Sequence, residues 1–167
     1  MTRATPRPRP AAAADADFLL DILWEAFHWD GRTGLTRRQL LEDPATARYL
    51  AGWPAPGDFG VVAEDPGTGA PLGACWARTL PAENAGYGFV APDVPELTLG
   101  VLPDHRRRGL GAALLDAVLA MAGQRGVARL SLSVEDGNPA VALYRSRGFV
   151  PVGREGGADT MVRELTR

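Results

Sequence analysis

The chain has 167 residues, 46% of them hydrophobic and 23% charged, and carries a formal net charge of -2. At roughly 150 residues per domain this is one compact domain with its own core, and the near-neutral charge argues against a nucleic-acid coat or a polybasic membrane surface. No apolar run approaches the roughly 18 residues of a membrane span, and one cysteine with two histidines excludes a Cys/His zinc site.

In chain order, Arg3 to Pro10 alternates Arg and Pro and is expected to be an extended, flexible tail to a single domain. Asp15 fits the N-cap of a helix to about Phe27, with Phe18, Leu19, Ile22, Leu23, Ala26 and Phe27 forming an apolar stripe. Thr36 and Gln39 fit a capping box, and Asp43-Pro44 restarts that helix to about Ala51. Phe59 to Glu64 and Leu72 to Leu80 are β-prone runs joined by the turn Asp65-Pro66-Gly67-Thr68-Gly69, a hairpin. Pro81 to Asp93 reads as a loop beside a binding site.

Pro95 to Leu102 alternates like a strand, and Gly109 to Gln124 reads as an apolar helix closed by Gly126. Val127 to Val134 is the next strand. Asn138 caps a helix with Pro139 at its first position, running to Arg147, and Phe149–Val152 and Asp159–Leu165 close the domain as strands. Helices first, then an antiparallel meander, then alternating strands and helices make a mixed α/β (α+β) domain.

All eighteen basic residues are arginine, so neither a Schiff-base lysine nor a P-loop lysine is available. The N-terminal stretch has no apolar core like that of a secretory signal, and a cytoplasmic protein is expected.

The segment Leu97 to Ala113 carries the chemistry. A strand ends at Pro103, a polar turn follows, and Gly109 and Gly111 open a helix whose first N–H groups and dipole suit a pyrophosphate. Arg106, Arg107 and Arg108 add positive charge; the competing reading is a tight turn with a solvated arginine run. The dinucleotide fingerprint G-x-G-x-x-G fails because Leu114 stands three residues after Gly111.

Arg106-Arg107-Arg108-Gly109-Leu110-Gly111 resembles the R/Q-x-x-G-x-G/A signature of the GNAT superfamily of N-acetyltransferases. Asn138-Pro139-Ala140-Val141-Ala142-Leu143-Tyr144-Arg145-Ser146-Arg147-Gly148-Phe149, about thirty residues downstream as the family requires, resembles its N-x-x-A-x-x-L-Y-x-x-x-G-F motif. The likeness is strongest over Glu96 to Val152 and implies a sheet of about seven strands flanked by about four helices, with two parallel strands that splay apart. It implies acetyl-CoA as co-substrate without a metal, and direct transfer of the acetyl group to a primary amine of a small molecule or peptide. Cofactor contacts implied by the likeness are Leu99, Gly100, Val101, Arg106, Arg107, Arg108, Gly109, Leu110, Gly111, Ala112, Asn138, Ala140, Leu143, Tyr144 and Arg147.

Tyr144 matches the position that protonates the departing thiolate in many family members; a Tyr packed in the core and bonded to a carbonyl is the competing reading. Glu96 is the candidate base, since only an unprotonated amine attacks a thioester. A solvated strand-end Glu contends equally, and Glu83, Asp93 and Asp136 are weaker alternatives. The N–H near Leu99 is the expected oxyanion donor. In this family the connection after the first helix lines the acceptor site, which implicates Trp24, Phe27, His28, Trp29 and Asp30; an aromatic helix end packed on the core is the alternative. Cys75 reads as a buried structural thiol and His105 as an exposed neighbour of the phosphates. An acyl-CoA-binding sensor or scaffold of the same fold is the alternative function, and a nucleic-acid binder using the triple arginine the third. Neither nucleic acid nor membrane is expected as a partner, and a homodimer is the default assembly.

Overall fold

The computed structural model describes residues 4–32 and 34–165. Seven strands form one sheet in the order β1-β2-β3-β4-β5-β7-β6: β1 Arg7–Pro10, β2 Phe59–Glu64, β3 Pro71–Arg78, β4 Glu96–Val101, β5 Arg129–Glu135, β6 Val150–Glu155 and β7 Ala158–Glu164. The five helices are α1 Ala16–Phe27, α2 Arg37–Glu42, α3 Pro44–Ala47, α4 Leu110–Gln124 and α5 Ala140–Ser146. All neighbouring strands are antiparallel except β4 and β5, which run parallel and share a single pairing, Glu96 with Ser131. The mixed sheet with a splayed parallel pair is the expected architecture.

Alternation along β3 and β4 divides the core. Cys75, Leu97 and Val101 face α4, with Leu110, Leu114, Leu115 and Val118 packed on them. Ala74 and Trp76 face the opposite side, where α1 buries Leu19, Ile22 and Leu23 at helical spacing. Each such aliphatic side chain contributes roughly 1.5–3 kcal/mol of burial. Gly100 lets α1 approach β4, since a Cβ there would stand 2.8 Å from Ile22 Cγ2.

Local signals act as read in several places. Thr36 Oγ1 accepts from Gln39 N at 3.2 Å while Gln39 Oε1 accepts from Thr36 N at 2.8 Å, a capping box. Gly126 (φ +72°) ends α4: its N–H meets Gly123 O and the Val127 N–H meets Ala122 O, the Schellman pattern. Asn138 Oδ1 accepts from Ala140 N at 2.9 Å and caps α5 with Pro139 as its first turn.

Three expectations change. Residue 3 lies outside the described residues, but Arg7–Pro10 is an edge strand on β2 rather than a free tail. The alternation explains it: Ala11 N bonds Gly60 O, so Arg7 and Arg9 turn their N–H groups to β2 while the prolines, which have none, face outward. Arg9 also joins Glu64 and Asp15, and Asp15 accepts from Ala12 N instead of from α1. Finally α3 ends at Ala47, and the chain continues to Ala51 as linked turns.

Candidate active site

Glu96 opens β4 on the α1 face and is 5% exposed. Its Oε2 accepts from the Tyr49 hydroxyl at 2.6 Å, and that hydroxyl in turn accepts from Tyr87 N at 2.8 Å. Oε1 is buried and makes no hydrogen bond of normal geometry. Burial pushes the Glu96 carboxyl above the usual carboxylate range, opposed by the Tyr49 hydrogen bond, the nearby Gly88 N–H and the Arg48 charge. Burial likewise pushes the Tyr49 phenol up, so it stays protonated and donates. The strand-end carboxylate is therefore desolvated, as a proton acceptor near neutral pH requires.

The residues around Glu96 come from separate parts of the chain. Phe27, Tyr49 and Tyr87 form an aromatic cluster with centroids 6.1 to 6.5 Å apart. The Arg48 guanidinium lies over Tyr87 at 5.0 Å and Tyr49 at 5.8 Å. Arg78, 4% exposed and paired with Asp58 at 2.9 Å, donates to Arg48 O and fixes this corner. Trp76 Nε1 donates to Tyr49 O at 3.1 Å and does the same from β3. Gly86 and Gly88 let the loop after β3 close down: a Cβ at Gly86 would meet Glu96 Oε1 at 2.2 Å, and one at Gly88 would meet Leu132 C at 2.5 Å. Ser131, paired with Glu96, holds a second buried and unpartnered oxygen, Oγ.

The gap between β4 and β5 follows from register. Leu102 N bonds Leu72 O, so even-numbered residues of β4 turn their backbone groups to β3 and odd-numbered ones toward β5. Beyond Glu96 the two strands part. Leu99 N–H, Leu99 C=O and Val101 N–H face the opening, while Arg106 Nε takes Val101 O at 2.9 Å.

At the far end of β4 the amides of Gly109, Leu110, Gly111 and Ala112 meet no acceptor of normal geometry among the described residues. Arg107 (φ +60°) and Gly109 (φ +79°) curl the backbone so that these donors converge, and Gly111 lies against Leu143, whose Cδ2 would be 3.6 Å from a Cβ there. Four orphan donors at a helix start fit a pyrophosphate. The arginine run divides: Arg107 and Arg108 are exposed beside the turn, whereas Arg106 binds Val101 O and Glu25 Oε2 at 2.9 Å and joins α1 to the turn.

On the opposite face, Tyr144 is 7% exposed, stands edge-on to Phe149 at 5.9 Å, and its hydroxyl has no hydrogen-bond partner among the described residues, its backbone carbonyl accepting from Arg147 N and Phe149 N. Burial pushes its phenol up, with a smaller push from Cys75, so it remains a proton donor. The carbonyl bond of the competing reading is not made. Ala140 and Leu143 pack on the α4-side core, and Arg147 is paired with Asp116 at 2.9 Å on the surface.

The five candidates for the acceptor side separate. Phe27 stands in the aromatic cluster. Trp24 stacks on His28 at 4.3 Å and donates to Leu35 O, which places it with the packing of α1. His28 Nδ1 is buried without a partner, Trp29 reaches Gly137, and Asp30 caps an exposed turn through Arg32 N. Glu83 and Asp93 are exposed, and Asp136 is held ionised by Arg154. Cys75 is fully buried, and desolvation pushes its thiol up. Tyr49, Arg48, Tyr87 and Ser131 were not anticipated; the Gly-Tyr-Gly of the loop was the one local signal for any of them.

The sequence model described as the acetyltransferase (GNAT) family matches residues 16–149. The chain belongs to the GNAT family. It is 33% identical over 147 residues to a mycothiol acetyltransferase of Clavibacter michiganensis subsp. michiganensis, covering 86% of this chain and 44% of that protein. It is 48% identical over 75 residues to the [ribosomal protein bS18]-alanine N-acetyltransferase of Escherichia coli K12, covering 42% of this chain and 51% of that one. This GNAT chain thus spans about half or less of the length of these curated relatives. A GNAT superfamily phosphinothricin acetyltransferase from Sinorhizobium meliloti, solved with AcCoA, superposes with a TM-score of 0.69 at 22% identity over 97% of this chain and 89% of that one, a likeness of fold. Among the described residues, no helix is long and apolar enough to cross a membrane, and no group of three or more His, Cys, Asp or Glu could hold a metal ion.

Proposed function

We propose that this chain is an acetyl-CoA-dependent N-acetyltransferase that acetylates a primary amine in a ternary complex. The observation that carries the reading is the single pairing of β4 with β5 at Glu96–Ser131, which leaves an open seam with an unpartnered carboxylate oxygen on one face and an unpartnered phenol on the other. Glu96, Thr98 and Gly100 belong to the α1 face; Leu97, Leu99 and Val101 belong to the face of Tyr144.

Acetyl-CoA, when bound, supplies an activated thioester. The amides of Gly109 to Ala112, with Arg107 and Arg108, hold its pyrophosphate. Leu99 N–H and C=O and Val101 N–H pair with the pantetheine arm as an added strand would. Asn138 adds a cofactor contact through the donor side of its amide, its Oδ1 being taken by the cap. The Glu96 carboxylate takes the proton from the acceptor's ammonium, directly or through water, and Tyr144 gives its proton to the departing sulfur. Desolvation favours both roles by making the carboxylate more basic and keeping the phenol protonated. The site operates as a cytoplasmic one on a soluble acceptor. Release of free thiol from acetyl-CoA on addition of amines, in wild type and in Tyr144→Phe, tests the reading.

A further inference from the structure

Arg48 lies over the rings of the aromatic corner, where the neighbouring Arg78 is already paired with Asp58, and no mechanistic step above uses it. Its Nε is buried without an acceptor, and its guanidinium meets no carboxylate within 4 Å among the described residues. Buried polar atoms without partners are uncommon, and a guanidinium that meets no carboxylate near a carboxylate that meets no cation is more so. Arg48 and Glu96 flank the same ring, Tyr49, yet do not join each other. Tyr49 satisfies neither remaining atom: its hydroxyl donates to Glu96 Oε2 and accepts from Tyr87 N, and Arg48 Nε does not reach it.

Position assigns Arg48 to the acceptor and not to the cofactor phosphates. It stands at the Glu96 end of β4, whereas the free amides lie beyond Val101, at the other end of a six-residue strand. At about 3.3 Å per residue that is roughly 17 Å away. The Tyr87 and Tyr49 rings lie 5.0 and 5.8 Å from the guanidinium carbon and restrict its movement, which suits it to receive an oxyanion. Tyr87 is 46% exposed and forms the mouth of the corner.

We infer that the acceptor is an amine carrying its own carboxylate, an amino-acid-type zwitterion, with its ammonium toward the Glu96 carboxylate, its carboxylate on Arg48 and its carbon skeleton against Phe27, Tyr49 and Tyr87. This rests on the acetyl-transfer reading for the role of Glu96, but the charge pairing itself is a statement about binding. An amine at a peptide N-terminus, whose acid has become an amide, lacks the group that Arg48 takes.

The test is equilibrium binding by calorimetry, with coenzyme A present, of glycine, methionine, phenylalanine and glutamate, each against its carboxamide. The carboxamide keeps the ammonium and loses only the anion. At least one acid is expected to bind tenfold or more tighter than its amide. Arg48→Gln should erase that preference, and Arg48→Lys should restore part of it, with coenzyme A affinity unchanged in both as the check on folding. Equal binding of acid and amide, no binding of any acid, or a preference that survives in Arg48→Gln overturns the inference. Thiol release is read separately. Acids that bind but are not acetylated would refute the transfer reading alone, and amines acetylated regardless of the carboxylate would refute this inference alone.

Discussion

The Tyr49 hydroxyl donates to Glu96 Oε2 at 2.6 Å across forty-seven positions of sequence, and this one bond links the turns after α3 to the start of β4. It also sets the chemistry of the site, since it opposes the desolvation that pushes the carboxyl up. Tyr49→Phe removes that donor and leaves the Tyr87 amide without an acceptor. The variant is expected to lose about 1–3 kcal/mol in denaturant unfolding. Its activity should rise with pH along a limb displaced upward from wild type, because Glu96 is ionised later.

Stability should carry the same signature. The folded Glu96 carboxyl lies above its unfolded value, which is about 4.3 for a free glutamate. Its contribution to stability is therefore fully present below that unfolded value and is lost as pH rises through the raised folded one. Relative to Glu96→Gln, the wild type is expected to be most stable in acid and to fall behind progressively toward neutral pH. Unfolding free energies of the two proteins measured across that window check the sign. A gap that widens in favour of wild type as pH rises would contradict it.

The loop after β3 seats through glycine. At Gly88 a methyl group would stand 2.5 Å from Leu132 C and 2.7 Å from Ser133 N, both backbone atoms that cannot rotate away. Gly88→Ala should lift the loop from β5 and carry Tyr87 with it. The expected result is a rise in KM for the amine of tenfold or more with KM for acetyl-CoA little changed, read in paired saturation curves.

Arg106 and its neighbours should behave differently although the three are identical in type. Arg106 partners the buried Glu25 and caps Val101 O. Arg106→Ala is expected to cost about 1–3 kcal/mol, toward the lower end because the arginine side chain is 38% exposed and screened. Arg107→Ala with Arg108→Ala should leave unfolding unchanged and weaken acetyl-CoA binding most at low salt.

The elements that position the cofactor end of the site were legible because their signals are local. Gly109 and Gly111 before an apolar helix, Gly126 behind it and Asn138-Pro139 ahead of α5 each act on a neighbouring N–H or carbonyl. Arg7–Pro10 was not legible as a strand, because its partner β2 lies some fifty residues on and prolines read locally as a tail. Tyr144 stands out by its place in a motif and Glu96 only as a carboxylate at the start of a strand, but their burial and their unpartnered atoms exist only once β4 and β5 part. Tyr49 and Arg48 carry no motif at all. Their role comes from α3 ending at Ala47, from Trp76 holding Tyr49 O and from Arg78 holding Arg48 O, contacts 27 and 30 residues distant in sequence. The divided fate of the arginine run has the same cause: α1 brings Glu25 to Arg106 and to neither of the others.

The central claim is that Glu96 and Tyr144 move the protons of an acetyl transfer across the β4–β5 seam. Its most direct measurement is the pH dependence of thiol release from acetyl-CoA with an accepted amine, in wild type, Glu96→Gln and Tyr144→Phe. The account predicts an acidic limb in the wild type above the ordinary carboxylate range that is absent in Glu96→Gln. It also predicts a fall in kcat of about a hundredfold or more in each variant with acetyl-CoA affinity preserved. Wild-type rates and an unchanged acidic limb in both variants would contradict it.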